Sequence, residues 1–225
     1  MDPDSWVLTI DGEVHKQLSL TVDDLKTTFE TVELNLQLEC GGNGRAGFNP
    51  PARGNQGTVG AIGNARWTGV RYRNVLEAAG VNENAIYTAH YGIDKHLPGD
   101  PKKSPISRGV PIAKAMEKHS LIAFTMNGEP IPAIHGSPLR VICPGWPAST
   151  GQKWLRRIQV RDVVHDGAKM TGASYRVPNH NVTPGTKVPE TDFKIIESMP
   201  VKSLITSHAT GSTLIGRTIH LAGHA

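Results

Sequence analysis

Val32-Glu33-Leu34-Asn35-Leu36-Gln37-Leu38-Glu39-Cys40, followed at once by Gly41-Gly42-Asn43-Gly44-Arg45, decides how this chain reads. Apolar and polar residues alternate without a break. That is the period of a strand, so Val32, Leu34, Leu36, Leu38 and Cys40 share one face. Cys40 is therefore expected to point inward where the strand gives way to glycines. Glycine on either side frees backbone N–H groups to face a ligand. Pattern alone leaves two readings of Cys40 open. One is a buried structural thiol, the common fate of a lone cysteine. The other is a metal thiolate or nucleophile, with Arg45 supplying the nearby positive charge that such a thiolate needs.

Working outward, residues 41–66 carry eight glycines and the pair Pro50-Pro51, which reads as one long loop. A loop of that length in a compact domain is usually functional. Upstream, residues 6–10 read as a strand ending in a turn at Asp11-Gly12. Thr21 then caps a short helix, with Asp24 three residues on. Downstream, 73–79 reads as a helix stopped by Gly80. Residues 85–90 read as a strand, 98–105 as a turn region, and 111–118 as a helix with proline in its first turn. A strand over 121–126 runs into an Asn127-Gly128 hairpin turn. Further strands are expected at 138–142, 154–160, 201–206 and 218–221, with a second long loop over 165–192. The fold class is α+β, mixed and strand-rich.

Composition bounds the partners. The chain has 225 residues, 38% hydrophobic, with a formal net charge of +4. That excess is mild and no basic block interleaves with aromatics, which argues against a nucleic-acid binder. A small anionic substrate or an acidic protein partner fits better. No apolar run reaches the ~20 residues needed to span a bilayer. Two cysteines cannot build a disulfide scaffold, although Cys40 and Cys143 could act as a thiol redox pair. Neither CxxC nor HExxH occurs, so a metal on Cys40 would take its other ligands from a cofactor.

Three further stretches carry chemistry. In Ile134-His135-Gly136-Ser137-Pro138-Leu139-Arg140 an arginine fork suits a phosphate; the plainer reading is a surface histidine and a salt-bridged arginine. Pro144 to Thr150 is a small-residue loop leading to Gly151-Gln152-Lys153-Trp154-Leu155-Arg156-Arg157, able to cradle phosphate or pterin with backbone amides; the plainer reading is a loop before an edge strand. In Ser174-Tyr175-Arg176 the phenol could donate to an oxyanion or relay a proton, or merely pack. The ten histidines form no helical i, i+4 pair and read as surface residues or residues behind a site.

The stretches Leu38 to Arg45, Gly60 to Val70, His135 to Val141 and Lys153 to Ile158, in that order, resemble the molybdenum-cofactor domain of the sulfite oxidase family, over nearly the whole chain. The phrase Pro105-Ile106-Ser107-Arg108-Gly109-Val110-Pro111 and residues 165–189 resemble bacterial sulfite dehydrogenases. The resemblance implies a molybdenum–molybdopterin cofactor with Cys40 as its thiolate ligand. It implies Arg45 in the anion pocket and Tyr175 beside the substrate. Asp94, His135, Arg140, Gln152, Lys153 and Leu155 would contact the pterin and its phosphate. The implied activity is oxidation of sulfite to sulfate, with electrons leaving one at a time to a separate c-type cytochrome. No Cys-x-x-Cys-His occurs, so no c-type haem is expected in this chain. Same-fold alternatives are a sulfoxide reductase, a sulfane dehydrogenase subunit, or a non-catalytic cofactor-binding fragment. The resemblance further implies a periplasmic location and a homodimer or haem subunit in the full-length protein. Residues 1–200 would form the cofactor domain, and 201–225 the start of an immunoglobulin-like dimerisation domain. Gly57 stands where many members carry a tryptophan.

Overall fold

The computed structural model describes residues 2–96, 99–100, 105–172, 174–209 and 211–224. Along the chain, β1 (Val7–Gly12) and β2 (Leu18–Thr21) precede α1 (Val22–Thr28), β3 (Thr31–Glu39), β4 (Ile62–Arg71) and α2 (Tyr72–Ala79). Next come β5 (Tyr87–Gly92), β6 (Gly109–Pro111), α3 (Ile112–Ala115), β7 (Leu121–Met126), β8 (Glu129–Pro130), β9 (Arg140–Ile142) and β10 (Leu155–Arg161). Two small hairpins close the described chain, β11 (Arg176–Pro178) with β12 (Phe193–Ile195) and β13 (Leu204–Ile205) with β14 (Gly223–His224). Short helices among many strands make the fold α+β and strand-rich.

Two five-stranded sheets form the body. One has the order β2-β1-β10-β5-β6, and the other runs β3-β4-β7-β8 with β9 also paired to β7. The first sheet brings residues 7–12 together with residues 155–161. β1 lies parallel to β10, Thr9 opposite Arg157 and Gly12 opposite Val160. Leu8 and Ile10 of β1 are fully buried against Leu155, Ile158 and Val160 of β10, α1 and α2. Apolar burial of this kind contributes roughly 1.5–3 kcal/mol per large side chain. Helix α1 starts where expected because Thr21 and Asp24 form a reciprocal capping box: the Asp24 N–H donates to Thr21 Oγ1 at 3.0 Å, and the Thr21 N–H to Asp24 Oδ2 at 2.8 Å.

In the second sheet, β3 pairs antiparallel with β4 from Thr31–Val70 to Glu39–Ile62. Leu36, Trp67, Leu121, Ala123, Ile131 and Ile142 make its own core, while Glu33, Asn35 and Gln37 face outward. Asn127 and Gly128, both at positive φ, turn β7 into β8 as expected.

Several expectations move. β1 continues through Asp11 to Gly12 instead of turning there, because β10 pairs with it that far. The first long loop ends at Ile62, since pairing with β3 holds Gly63 in a strand. The second loop contains β11. The strand expected at 201–206 shrinks to Leu204–Ile205, and the one expected at 218–221 lies instead at Gly223–His224. The turn expected over 98–105 lies largely outside the described residues.

Candidate active site

The cysteine turn sits where β3 runs out. The Cys40 N–H still reaches across to Ala61 O at 2.9 Å, the last rung of the β3–β4 pairing, and the Asn43 N–H closes the turn on Cys40 O at 2.9 Å. Cys40 does not point inward as its parity predicted; it is exposed. The turn begins at that residue, so strand parity no longer governs its side chain. Glu39 is buried in its stead, its carboxylate accepting from Asn43 Nδ2 at 3.0 Å and Lys202 Nζ at 2.6 Å. Asn43 Oδ1 also accepts from the Ala61 N–H at 3.0 Å, so one side chain ties both arms of the turn together.

Gly42 is the floor of this turn. Its N–H points at Cys40 Sγ from 3.4 Å, an arrangement that suits a charged thiolate. A Cβ at Gly42 would lie 2.3 Å from Arg45 Nη2, so only glycine lets the guanidinium fold back over the turn. Arg45 Nη1 donates to Asn55 O at 3.1 Å, which fixes the fork in place. Sulfur and guanidinium thus flank the same residue.

A second cluster lies along β9 and the residues before β10. Arg140 is 8% exposed, and burial pushes its guanidinium down to about 10. Its Nη1 donates to His135 O at 3.0 Å, and its plane lies over Trp67, but its Nε is buried with no partner. Gln152 Oε1 is likewise buried without a donor. Lys153 reaches Ile134 O at 2.9 Å and lies over the Trp154 ring; burial and then Arg140 lower its pKa. Burial raises Asp94, against the pull of Lys153. These groups converge because Gly92 carries no side chain: a Cβ there would lie 2.4 Å from Asp94 Oδ1 and 2.6 Å from Gln152 Nε2. His135 is exposed at the rim. Leu155 is fully buried, its N–H donating to Leu139 O and its carbonyl accepting from Trp6 Nε1 at 2.8 Å, so it acts by positioning its neighbours.

The loop 144–151 joins the two clusters. Glu39 bridges Pro147 at one end, and the other end leads into Gln152 and Lys153. Tyr175 arrives from the second long loop, half-buried, with φ 53°. The Ile196 N–H donates to Tyr175 O at 3.1 Å, and the Ile196 side chain packs beside Gly41. Through Ile196, Tyr175 is tied to the cysteine turn.

Two groups lie behind the site; the histidines of the second were expected either there or at the surface, whereas the burial of Arg108 was not foreseen. Arg108, 1% exposed, lies under the Tyr175 ring, its Cζ 5.0 Å from the ring centroid. A polar relay also crosses the core. His90 Nδ1 lies 3.1 Å from Thr150 O, while its Nε2 meets Tyr72 Oη at 3.1 Å. Ser107 Oγ donates to His90 O at 2.8 Å and sits 2.9 Å from His165 Nε2. Arg161 Nη1 donates to His165 Nδ1 at 2.8 Å. Burial lowers His90 to about 3 and His165 to about 4, so both rings are neutral near pH 7. No periodicity marks either group; only the fold brings them together.

The comparisons with known proteins bear on these clusters. The family described as "Oxidoreductase molybdopterin binding domain" matches residues 1–169. Rat mitochondrial sulfite oxidase is 32% identical over 235 residues, covering 100% of this chain and 41% of the relative. Barley nitrate reductase [NAD(P)H] is 34% identical over 163 residues, covering 71% of this chain and 18% of the relative. Among solved structures, the sulfane dehydrogenase SoxCD from Paracoccus pantotrophus superposes with a TM-score of 0.71 at 28% identity, covering 92% of this chain and 49% of that one. The chain therefore spans less than half the length of these relatives.

The residues present fit a molybdopterin. Arg140 and Lys153 are cations held partly out of water near one another, and an anionic phosphate would offset that cost. Arg140 Nε and Gln152 Oε1 are a buried donor and a buried acceptor without a hydrogen-bond partner, and a pterin, which carries both kinds of group, could pair with them. Among the described residues no group of three or more His, Cys, Asp or Glu could hold a metal ion. By the family match along residues 1–169 and the whole-chain likeness to sulfite oxidases, this chain belongs to the sulfite-oxidase-type family of molybdopterin-binding oxidoreductases.

Proposed function

We propose that the chain oxidises sulfite to sulfate and passes the two electrons to an external c-type cytochrome. The observation that carries the reading is the exposed Cys40 sulfur and the Arg45 fork on either side of Gly42. Bound molybdopterin supplies the oxygen-atom transfer and takes up the two electrons; Cys40 would be its thiolate ligand. Arg140, Lys153, Gln152, Asp94 and His135 would hold the pterin and its phosphate. Arg45 binds the sulfite oxygens with a planar fork and offsets charge as sulfate forms. Tyr175 donates a hydrogen bond to a substrate oxygen. Net, sulfite and water become sulfate, two protons and two electrons.

Residues 201–225 belong, in this reading, to the start of a dimerisation domain, and Val201 and Ile215 there are each 97% exposed. The compartment is periplasmic. No helix among the described residues is long and apolar enough to cross a membrane.

The likeness to the sulfane dehydrogenase favours a second reading, in which the same site acts on a sulfane sulfur. The deciding experiment expresses the chain with an intact cofactor supply. Molybdenum content, cytochrome c reduction by sulfite, oxidation of a sulfane-sulfur carrier and reduction of a sulfoxide are then compared. Sulfite-driven cytochrome reduction that disappears in Arg45→Met supports the first reading. A molybdenum-loaded chain inert to sulfite but active on another donor or acceptor overturns it.

A further inference from the structure

Arg108 is the most deeply buried cation among the described residues, and it touches three separate segments. Nη1 donates to Ser149 Oγ at 2.7 Å, in the loop that joins the two clusters. Nη2 reaches Ile196 O at 3.3 Å, and Nε reaches Met170 Sδ at 3.5 Å. Its plane carries the Tyr175 ring. Among the described residues no carboxylate forms an ion pair with it, and burial lowers its pKa. Burying a guanidinium with no carboxylate beside it is costly, and a methionine would fill the same space without that cost. The fork is used instead to gather side chains that share nothing in sequence.

We propose that Arg108 is a positioning residue that sets the place of the Tyr175 phenol relative to the Cys40 turn. The contacts make the chain of action explicit. Arg108 holds the Tyr175 ring from below. It also holds Ile196, whose N–H bonds the Tyr175 carbonyl and whose side chain packs beside Gly41. Tyr175 sits at positive φ, a backbone state unfavourable for a non-glycine residue that persists only when its surroundings impose it. At 1% exposure Arg108 cannot meet substrate itself. The proposal rests on the reading of Tyr175 as the group that faces sulfite.

The test uses the full chain expressed with a cofactor supply, as wild type, Arg108→Met, Arg108→Lys, Tyr175→Phe and the Arg108→Met/Tyr175→Phe double variant. Molybdenum content should be unchanged, because Arg108 lies outside the Arg140–Lys153 cluster. Arg108→Met should lower kcat/KM for sulfite by about tenfold, the scale of one cation–π and two hydrogen-bond contacts. It should also reproduce the split between KM and kcat seen in Tyr175→Phe. In the Tyr175→Phe background it should add less than about a twofold loss, since groups acting as one unit are not additive. A second readout needs neither cofactor nor turnover. The chain has four tyrosines, so 3-fluorotyrosine labelling yields four fluorine resonances, Tyr175 being the one that Tyr175→Phe removes. That resonance should move in Arg108→Met while those of Tyr72 and Tyr91 stay; Tyr87 also feels the Arg108 charge and does not serve as a reference. If Arg108→Met does not accumulate, Arg108→Lys is read the same way, because a lysine keeps the charge but cannot both stack and donate three ways. Losses that multiply in the double variant, or a Tyr175 resonance that does not move, overturn the proposal. Should the chain oxidise no sulfite at all, the fluorine spectrum still decides whether Arg108 places Tyr175.

Discussion

Acid should weaken this fold well before its carboxylates titrate, and two imidazoles set the size of the effect. Burial lowers His90 to about 3, with further lowering from His165 and Arg108. His165 falls to about 4, chiefly by burial and then through Arg161, against the opposing pull of Asp166. The unfolded value for both is 6.5. Between the folded and unfolded values the unfolded chain binds more protons. Stability is therefore full above pH 6.5, falls as the pH drops through 6.5, and levels off only below the folded values. Going from pH 7 to pH 5 removes about 2 kcal/mol per histidine, about 4 kcal/mol together. That is a large share of the ~5–15 kcal/mol a domain has. The assay is urea unfolding at fixed ionic strength at pH 7, 6 and 5. With a slope of about 2 kcal/mol/M the midpoint should fall by about 2 M. His165→Gln should remove about half of the pH dependence. Glu39 and Asp166, both lowered, titrate below this window and do not contribute to it. A midpoint that stays constant from pH 7 to pH 5 refutes the neutral buried pair.

Cys40→Ser should abolish molybdenum retention, read by metal analysis, whereas Cys143→Ser should keep the metal and cost about 1 kcal/mol of stability, because Cys143 is a core thiol near Ser120 and Thr150. Arg140→Met should raise the stability of the cofactor-free chain by about 1 kcal/mol by removing an uncompensated buried charge, while lowering its molybdopterin content; thermal unfolding and pterin fluorescence separate the two effects. Asn43→Ala should cost about 2 kcal/mol in chemical denaturation, since it leaves both the Glu39 carboxylate and the Ala61 N–H short of a partner.

The parts of this fold that were legible in the sequence are those governed by local rules. The alternation in β3, the Thr21–Asp24 box and the Asn127-Gly128 turn each act over a few residues, and each stands where expected. Edge pieces such as β2, β6, β8 and β11 were not legible, because a two- to four-residue strand is made by its partner and carries no period of its own. Cys40 shows the limit within a motif. Its parity pointed inward, but the turn begins at that residue, so Glu39 took the buried place. Arg45 was legible as a neighbour of Cys40 because the turn is short. Arg108 was not, because a lone arginine in a proline-bounded phrase looks the same whether it is solvated or buried. Lys202 was illegible for the same reason; only the fold brings it to Glu39, 163 residues away.

The parallel pairing of β1 with β10 bears on how the chain is made. On the ribosome, β1 emerges first but cannot complete its place in the sheet until residues 155–161 have followed. At ~5–20 residues per second that interval is roughly 7–30 s. Throughout it, Leu8 and Ile10 lack the strand that buries them, and β1 offers an open edge to any neighbouring chain. The same delay applies to Arg140, Gln152 and Lys153, which are translated just before or alongside β10. These three residues and the first sheet are therefore finished within a few residues of each other. In the proposed reading, a cofactor held by these residues can be bound in full only once β10 has been made.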